Sequence, residues 1–176
     1  MYDKLRTNKI AGLLIIGIRF LIGFAFIPSG LVKLIGERFT QLGPETPIGY
    51  FFDALYQSGL YWNFLGFCQL LTALLLFTQR FATLGALFFI GIIMNIFTIT
   101  ISLHFTGTWV ITMLMLFAGI ILIAWDWYKL KPILGLYPTE DEISRYSSSS
   151  TKWQITGLVA FIVAVGLLLL RRYYFY

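Results

Sequence analysis

Charge is what this sequence has least of. Only 12% of its 176 residues are charged, about half the share of a soluble domain. An ordinary water-facing surface is therefore excluded, and the net charge of +5 speaks of membrane topology and anionic lipid rather than of nucleic acid. Cysteine is nearly absent too. Cys68 is the only one, which rules out an intramolecular disulfide and CxxC redox chemistry and leaves a small apolar packing residue. Histidine occurs once, as His104; without cysteine or carboxylate companions it makes a poor metal site and reads as a turn or interface residue, with a haem ligand as the alternative. No phosphate-binding glycine loop, catalytic triad or metal cluster is present, so no catalytic residue is assigned.

What is present is hydrophobicity: 59% of the residues are apolar and the mean hydropathy is +0.82. The chain has room for four or five membrane spans with short loops, and none for a second folded domain. The first span is Ile10 to Ile35, a retained helix in which Pro28 is expected to introduce a kink. Tyr61 to Thr78, Phe81 to Leu103 and Trp109 to Trp127 follow. The second and third are joined so closely at Gln79-Arg80 that they must form a tight antiparallel hairpin. Tyr61, Trp62, Trp109, Trp125, Trp127 and Tyr128 mark the interfaces. Between the first two spans, Thr46-Pro47 starts a helix that Gly59 can close. Its stripe of Ile48, Phe51, Phe52, Leu55 and Tyr56 suits either an interfacial helix or a lid over the bundle.

The expected architecture is thus an all-α membrane protein. Residues 1–128 form a four-transmembrane-helix bundle with an added interfacial helix, and 129–152 a cytoplasmic linker containing Glu140-Asp141-Glu142 and the serines from Ser147 to Ser150. Residues 153–176 hold a fifth transmembrane helix, Trp153 to Leu170, and an aromatic tail. With the N-terminus inside, eight basic residues (Lys4, Arg6, Lys9, Arg80, Lys129, Lys131, Arg145 and Lys152) are cytoplasmic, and four (Lys33, Arg38, Arg171 and Arg172) are outside. That asymmetry favours a cytoplasmic N-terminus, although the closing arginine pair runs against the rule. A last helix that does not cross would remove the conflict.

Functional expectation centres on Arg19, a guanidinium in the body of the first span, where a charge costs ~2.5–3.5 kcal/mol or more. Helical spacing puts Gly12, Arg19, Gly23, Gly30 and Lys33 on one face, which small residues direct toward a neighbouring helix. Gln69 on the second span and Asn95 on the third are the mid-depth polar residues expected to meet Arg19. Asp126, between two interface tryptophans, is expected to be wet. No carboxylate then answers Arg19, which serves either as a hydrogen-bonded anchor or as the holder of an anionic or carbonyl-bearing ligand.

These residues resemble the DoxX family of small membrane proteins. The resemblance rests on Arg19-Phe-Leu-Ile-Gly23 and Ser29-Gly30-Leu-Val-Lys33-Leu34 on the first helix, then Leu65-Gly66-Phe-Cys-Gln69 and Leu76-Phe-Thr78-Gln-Arg80-Phe-Ala82. It runs from about Ile10 to Tyr128 and implies a four-helix membrane bundle in a bacterial inner membrane. Some members are associated with thiosulfate:quinone oxidoreductases or other membrane redox complexes. Family members often carry glutamate where this chain has Gln69, so an Arg19–carboxylate pair is not expected here. The dithiol mechanism of the vitamin K epoxide reductases, another group of small redox bundles, is excluded by the single Cys68.

The expectation is accordingly a multi-pass protein whose core holds a quinone or a lipid through Arg19, Gln69, Asn95 and Lys33. It would act as a membrane subunit of a redox system, with electron chemistry left to the quinone and a protein partner. The alternative is a non-enzymatic scaffold or assembly subunit that recruits a partner through its last helix and linker. The polar residues are too few and too scattered to line a channel.

Overall fold

A computed structural model describes residues 6–140, 143 and 150–175. The acidic residues Asp141 and Glu142, Arg145 and the serines 147–149, assigned above to the linker, lie outside the described residues. Among those described, all regular structure is helical. Helix α1 is Lys9–Leu34, α2 Pro47–Gln57, α3 Leu60–Phe77, α4 Ala82–Ser102 and α5 Thr108–Trp125. A short α6, Trp127–Leu130, leads into a 3-10 turn at Lys131–Leu134, and α7 is Thr151–Phe175. Five of these, α1, α3, α4, α5 and α7, are long and apolar enough to cross a membrane.

Local chemistry sets the ends. Asn8 caps α1 by accepting a hydrogen bond from the Ile10 amide at 2.9 Å. At the other end Gly36 takes φ +74° while Glu37 N–H donates back to the Val32 carbonyl at 3.0 Å, a left-handed stop that favours glycine. The helix continues through Pro28 rather than breaking there. Thr46 caps α2 through its Oγ1, which accepts from Gly49 N–H at 3.1 Å, with Pro47 just inside the start.

Helices α1, α3, α4 and α5 run alternately up and down, and α7 is parallel to α1, with Trp153 beside Phe20 and Arg172 beside Glu37. The turn at 78–81 and the segment from Asp126 onward therefore share one end, here called the base. The loops at 35–46 and 103–107 share the opposite end, the crown. The α1–α3 crossing is close. A Cβ on Gly30 would lie 2.9 Å from the Gly66 carbonyl, and one on Gly66 would lie 2.6 Å from the Gly30 carbonyl. Phe77, Phe89, Ile27, Leu76, Ile93 and Leu122 fill the centre. At the crown, α2 folds onto the loops: Phe52 packs against Phe39 and Phe105, Tyr56 against Trp62, and Arg38 pairs with Asp53 at 2.6 Å. These contacts hold α2 across the crown end of the bundle.

Helix α7 makes one narrow seam. Phe161 and Phe20 both meet Phe77 edge-on, and Gly157 sits against the Phe77 carbonyl so closely that no Cβ would fit.

Candidate functional site

The face of α1 that carries Arg19 and Lys33 is buried, each residue being 7% exposed. The two cations are fourteen positions apart on one helix, ~21 Å along its axis, and each enters a separate polar cluster.

At the base, Arg19 has a carboxylate. Its guanidinium donates to Asp126 Oδ2 at 2.8 Å and to Gln79 Oε1 at 3.0 Å. Asp126 is 2% exposed, so the expectation that it is wet, and that Arg19 lacks a counter-ion, is overturned. The cause is side-chain direction. Helical Cα–Cβ bonds tilt toward the helix N-terminus, and a long arginine carries its charge further the same way. The head group of Arg19 thus lies nearer the base than its Cα does. Asp126 continues the buried Thr112–Gly119 face of α5; the flanking tryptophans fix its level but say nothing about which way it points. Asp126 also accepts from Thr83 Oγ1 at 2.8 Å and lies 3.6 Å from Arg6 and 3.5 Å from Lys129. Arg6 in turn sits over the rings of Trp125 and Tyr128 at 4.7 and 4.8 Å. Burial pulls the Lys129 ammonium below the usual lysine range, and Asp126 opposes that shift.

Gln79 is a residue that sequence reasoning passed over. Its backbone is left-handed, φ 56°, a conformation that costs an ordinary side chain roughly 1–2 kcal/mol. In return its amide is turned inward, where it accepts from Arg19 and donates to the Leu76 carbonyl at 3.0 Å. A glutamine in a two-helix turn, next to Arg80, gave no signal beyond the tightness of that turn.

Toward the crown, Lys33 Nζ donates to the Ser29 carbonyl at 3.0 Å and to Ser29 Oγ at 2.7 Å. Ser29 Oγ donates to Gln69 Oε1 at 3.2 Å. Rings of Phe39 and Trp62 face the ammonium at 4.0 and 5.2 Å, a cation–π enclosure. Gln69 therefore joins Lys33, not Arg19, because α3 runs antiparallel to α1 and brings Gln69 opposite Gly30. No carboxylate is within ion-pair distance of Lys33 among the described residues. Phe39 also lines a shallow, open cleft walled by Arg38, Thr40, Leu42, Phe52, Asp53 and Tyr56.

Asn95 joins neither cluster. It lies on the exposed side of α4, so the expected meeting of Arg19, Gln69 and Asn95 does not occur. Helical phase explains this: α4 turns Gly85, Ala86, Phe89 and Ile93 inward, and Asn95, two residues beyond Ile93, points away from them. His104 is exposed in the 103–107 turn at φ 50°. Among the described residues no group of histidine, cysteine and acidic side chains has metal-ligand geometry.

Comparison with known proteins follows the same outline. The DoxX family model matches residues 13–104, the stretch that supplies α1 to α4 and both ends of the Lys33 cluster. A Bacillus subtilis (strain 168) protein described as "Uncharacterized protein YwoB" is 31% identical over 133 residues, covering 72% of this chain and 84% of its own. No solved structure matches. The chain is a member of the DoxX family of membrane proteins.

Proposed function

We propose that this bundle holds the oxygen-bearing head group of a hydrophobic ligand, a quinone or a lipid, at the Lys33 cluster, and serves a membrane redox system as a subunit. The observation that carries this reading is Lys33. It is a buried cation with no carboxylate partner among the described residues, held only by Ser29 and two aromatic faces. An unpaired charge at that level is costly, and a carbonyl or phosphate oxygen would complete its coordination. Ser29 and Gln69 supply a hydroxyl and an amide within the same chain of hydrogen bonds, a donor set suited to such an oxygen. Phe39 separates Lys33 from the crown cleft, so a head group would enter past that ring. The reading keeps Lys33 and Gln69 as ligand residues and gives Arg19 a structural role. A bound quinone would supply the electron chemistry, and the protein's share is to bind and orient it.

The test is purification from native membranes in mild detergent, followed by lipid and quinone extraction and titration with a short-chain quinone. Wild type should retain or bind one such ligand per chain, and Lys33→Met should lose it. A preparation that neither retains nor binds quinone or lipid, or a Lys33→Met variant that binds as wild type does, overturns the reading. A scaffold role is the second reading, favoured by the narrow seam and wide apolar exposure of α7. Deleting residues 147–176 separates the two: loss of a co-purifying protein with ligand retained supports scaffolding.

A further inference from the structure

Asn95 is the polar residue that the bundle leaves over. It sits thirteen positions into α4, with seven more before the helix ends at Ser102, so its amide lies ~10 Å inside the apolar segment. Its side chain has no hydrogen-bond partner among the described residues, and it is exposed. In hydrocarbon such a group is expensive unless something pairs with it.

Its neighbours on that face are regular. Leu84, Phe88, Gly91, Asn95, Thr98 and Ser102 succeed one another at intervals of four and three, the alternation of a heptad seam. All six are exposed, Leu84 at 47% and Phe88 at 46%, and a Cβ on Gly91 would meet nothing within 4 Å. The residues that pack α4 into its own bundle are Ala82, Gly85, Ala86, Phe89, Ile93 and Thr100, on the other side. The upper half of the seam carries small or polar residues, which let a facing helix approach closely.

We infer that α4 pairs with α4 of a second copy of this chain, in parallel, through this seam. Two features select a copy over any other occupant. Copies inserted in one orientation present parallel α4 helices, so a two-fold axis along the membrane normal brings Asn95 to Asn95 at one depth. The carboxamide is self-complementary, since each C=O accepts from the other's NH2. A single asparagine at such a seam position also fixes register and oligomeric state. Lipid offers the amide no partner at that depth, and the pairing leaves the Lys33 and Arg19 clusters untouched.

The test uses the full chain in membranes with Cys68→Ser as background. Gly91→Cys and Thr98→Cys on the seam should cross-link into dimers under mild oxidation. Leu114→Cys, on the exposed side of α5, should do so far less. Adding Asn95→Leu should weaken association on the order of tenfold in a lipid-dilution energy-transfer assay, while the thermal unfolding of the monomer is unchanged because the exposed Asn95 amide makes no hydrogen bond to the described residues. Equal cross-linking from seam and control thiols overturns the inference. So does a dimer fraction indifferent to Asn95→Leu, or cross-linking only to a different protein.

Discussion

The two buried cations of α1 illustrate opposite solutions to one problem. Arg19 is neutralised by Asp126 and held in plane by Gln79, whereas Lys33 is solvated by one serine and two rings. Removing the carboxylate should therefore be severe: Asp126→Ala strands Arg19 beside Arg6 and Lys129 and is expected to cost ~3–5 kcal/mol. A double-mutant cycle on unfolding in detergent checks this, with Arg19→Met plus Asp126→Ala expected to lose less than the two single changes added together. Strict additivity would show that the pair carries no coupling. Lys33→Met should behave in the reverse sense. It removes a charge that no carboxylate among the described residues balances and leaves an apolar chain of similar length between Phe39 and Trp62, so stability should hold or rise while ligand is lost. A thermal midpoint several degrees below wild type would contradict that separation of stability from binding.

At the scale of elements, the crossing of α1 and α3 is set by two glycines, and the substitution that tests it is small. Gly66→Ala places a methyl within 2.6 Å of the Gly30 carbonyl and should destabilise by ~1–3 kcal/mol through forced separation of the helices. Gly12→Ala, where a Cβ would meet nothing within 4 Å, should stay within about ±0.5 kcal/mol. Comparing the two thermal midpoints decides whether a glycine at the helix crossing and one away from it act alike. Sequence periodicity put Gly12 and Gly30, the partner of Gly66 in this crossing, on one face of α1 and could not rank them, because the near end of α1 extends past the residues that pack on it. The same limit explains the sites. Span positions, the Thr46-Pro47 start of α2 and the hairpin at 78–81 were all legible, since each depends on local chemistry and hydrophobic length. The Arg19–Asp126 pair joins residues 107 positions apart, and finding it requires the azimuth of α5 and the downward reach of arginine. Asn95 was expected on the inner side of its helix and lies on the outer one, a difference that position along the helix alone cannot reveal.

For the molecule as a whole, the parallel course of α1 and α7 bears on the one conflict in the basic-residue count. Arg171 and Arg172 lie at the crown, the outer side if the N-terminus is inside, and Arg172 is paired there with Glu37 at 2.8 Å. That pairing leaves the conflict in place, because the rule counts lysine and arginine and acidic partners contribute little to it. Five helices are long and apolar enough to cross, and five crossings would put the base in the cytoplasm if the basic asymmetry governs insertion. Thiol labelling in intact cells decides it, in a Cys68→Ser background with Thr106→Cys in the crown loop, Tyr173→Cys after α7 and Leu136→Cys at the base, all of them exposed positions. An impermeant maleimide should reach positions 106 and 173 from outside, and position 136 only once the membrane is opened. Labelling of 106 but not 173 would show that α7 does not cross, and the converse pattern at all three would place the base outside. Because the seam on α4 and the Lys33 cluster are fixed to this frame, the same labelling also decides which face of the membrane the crown cleft opens to.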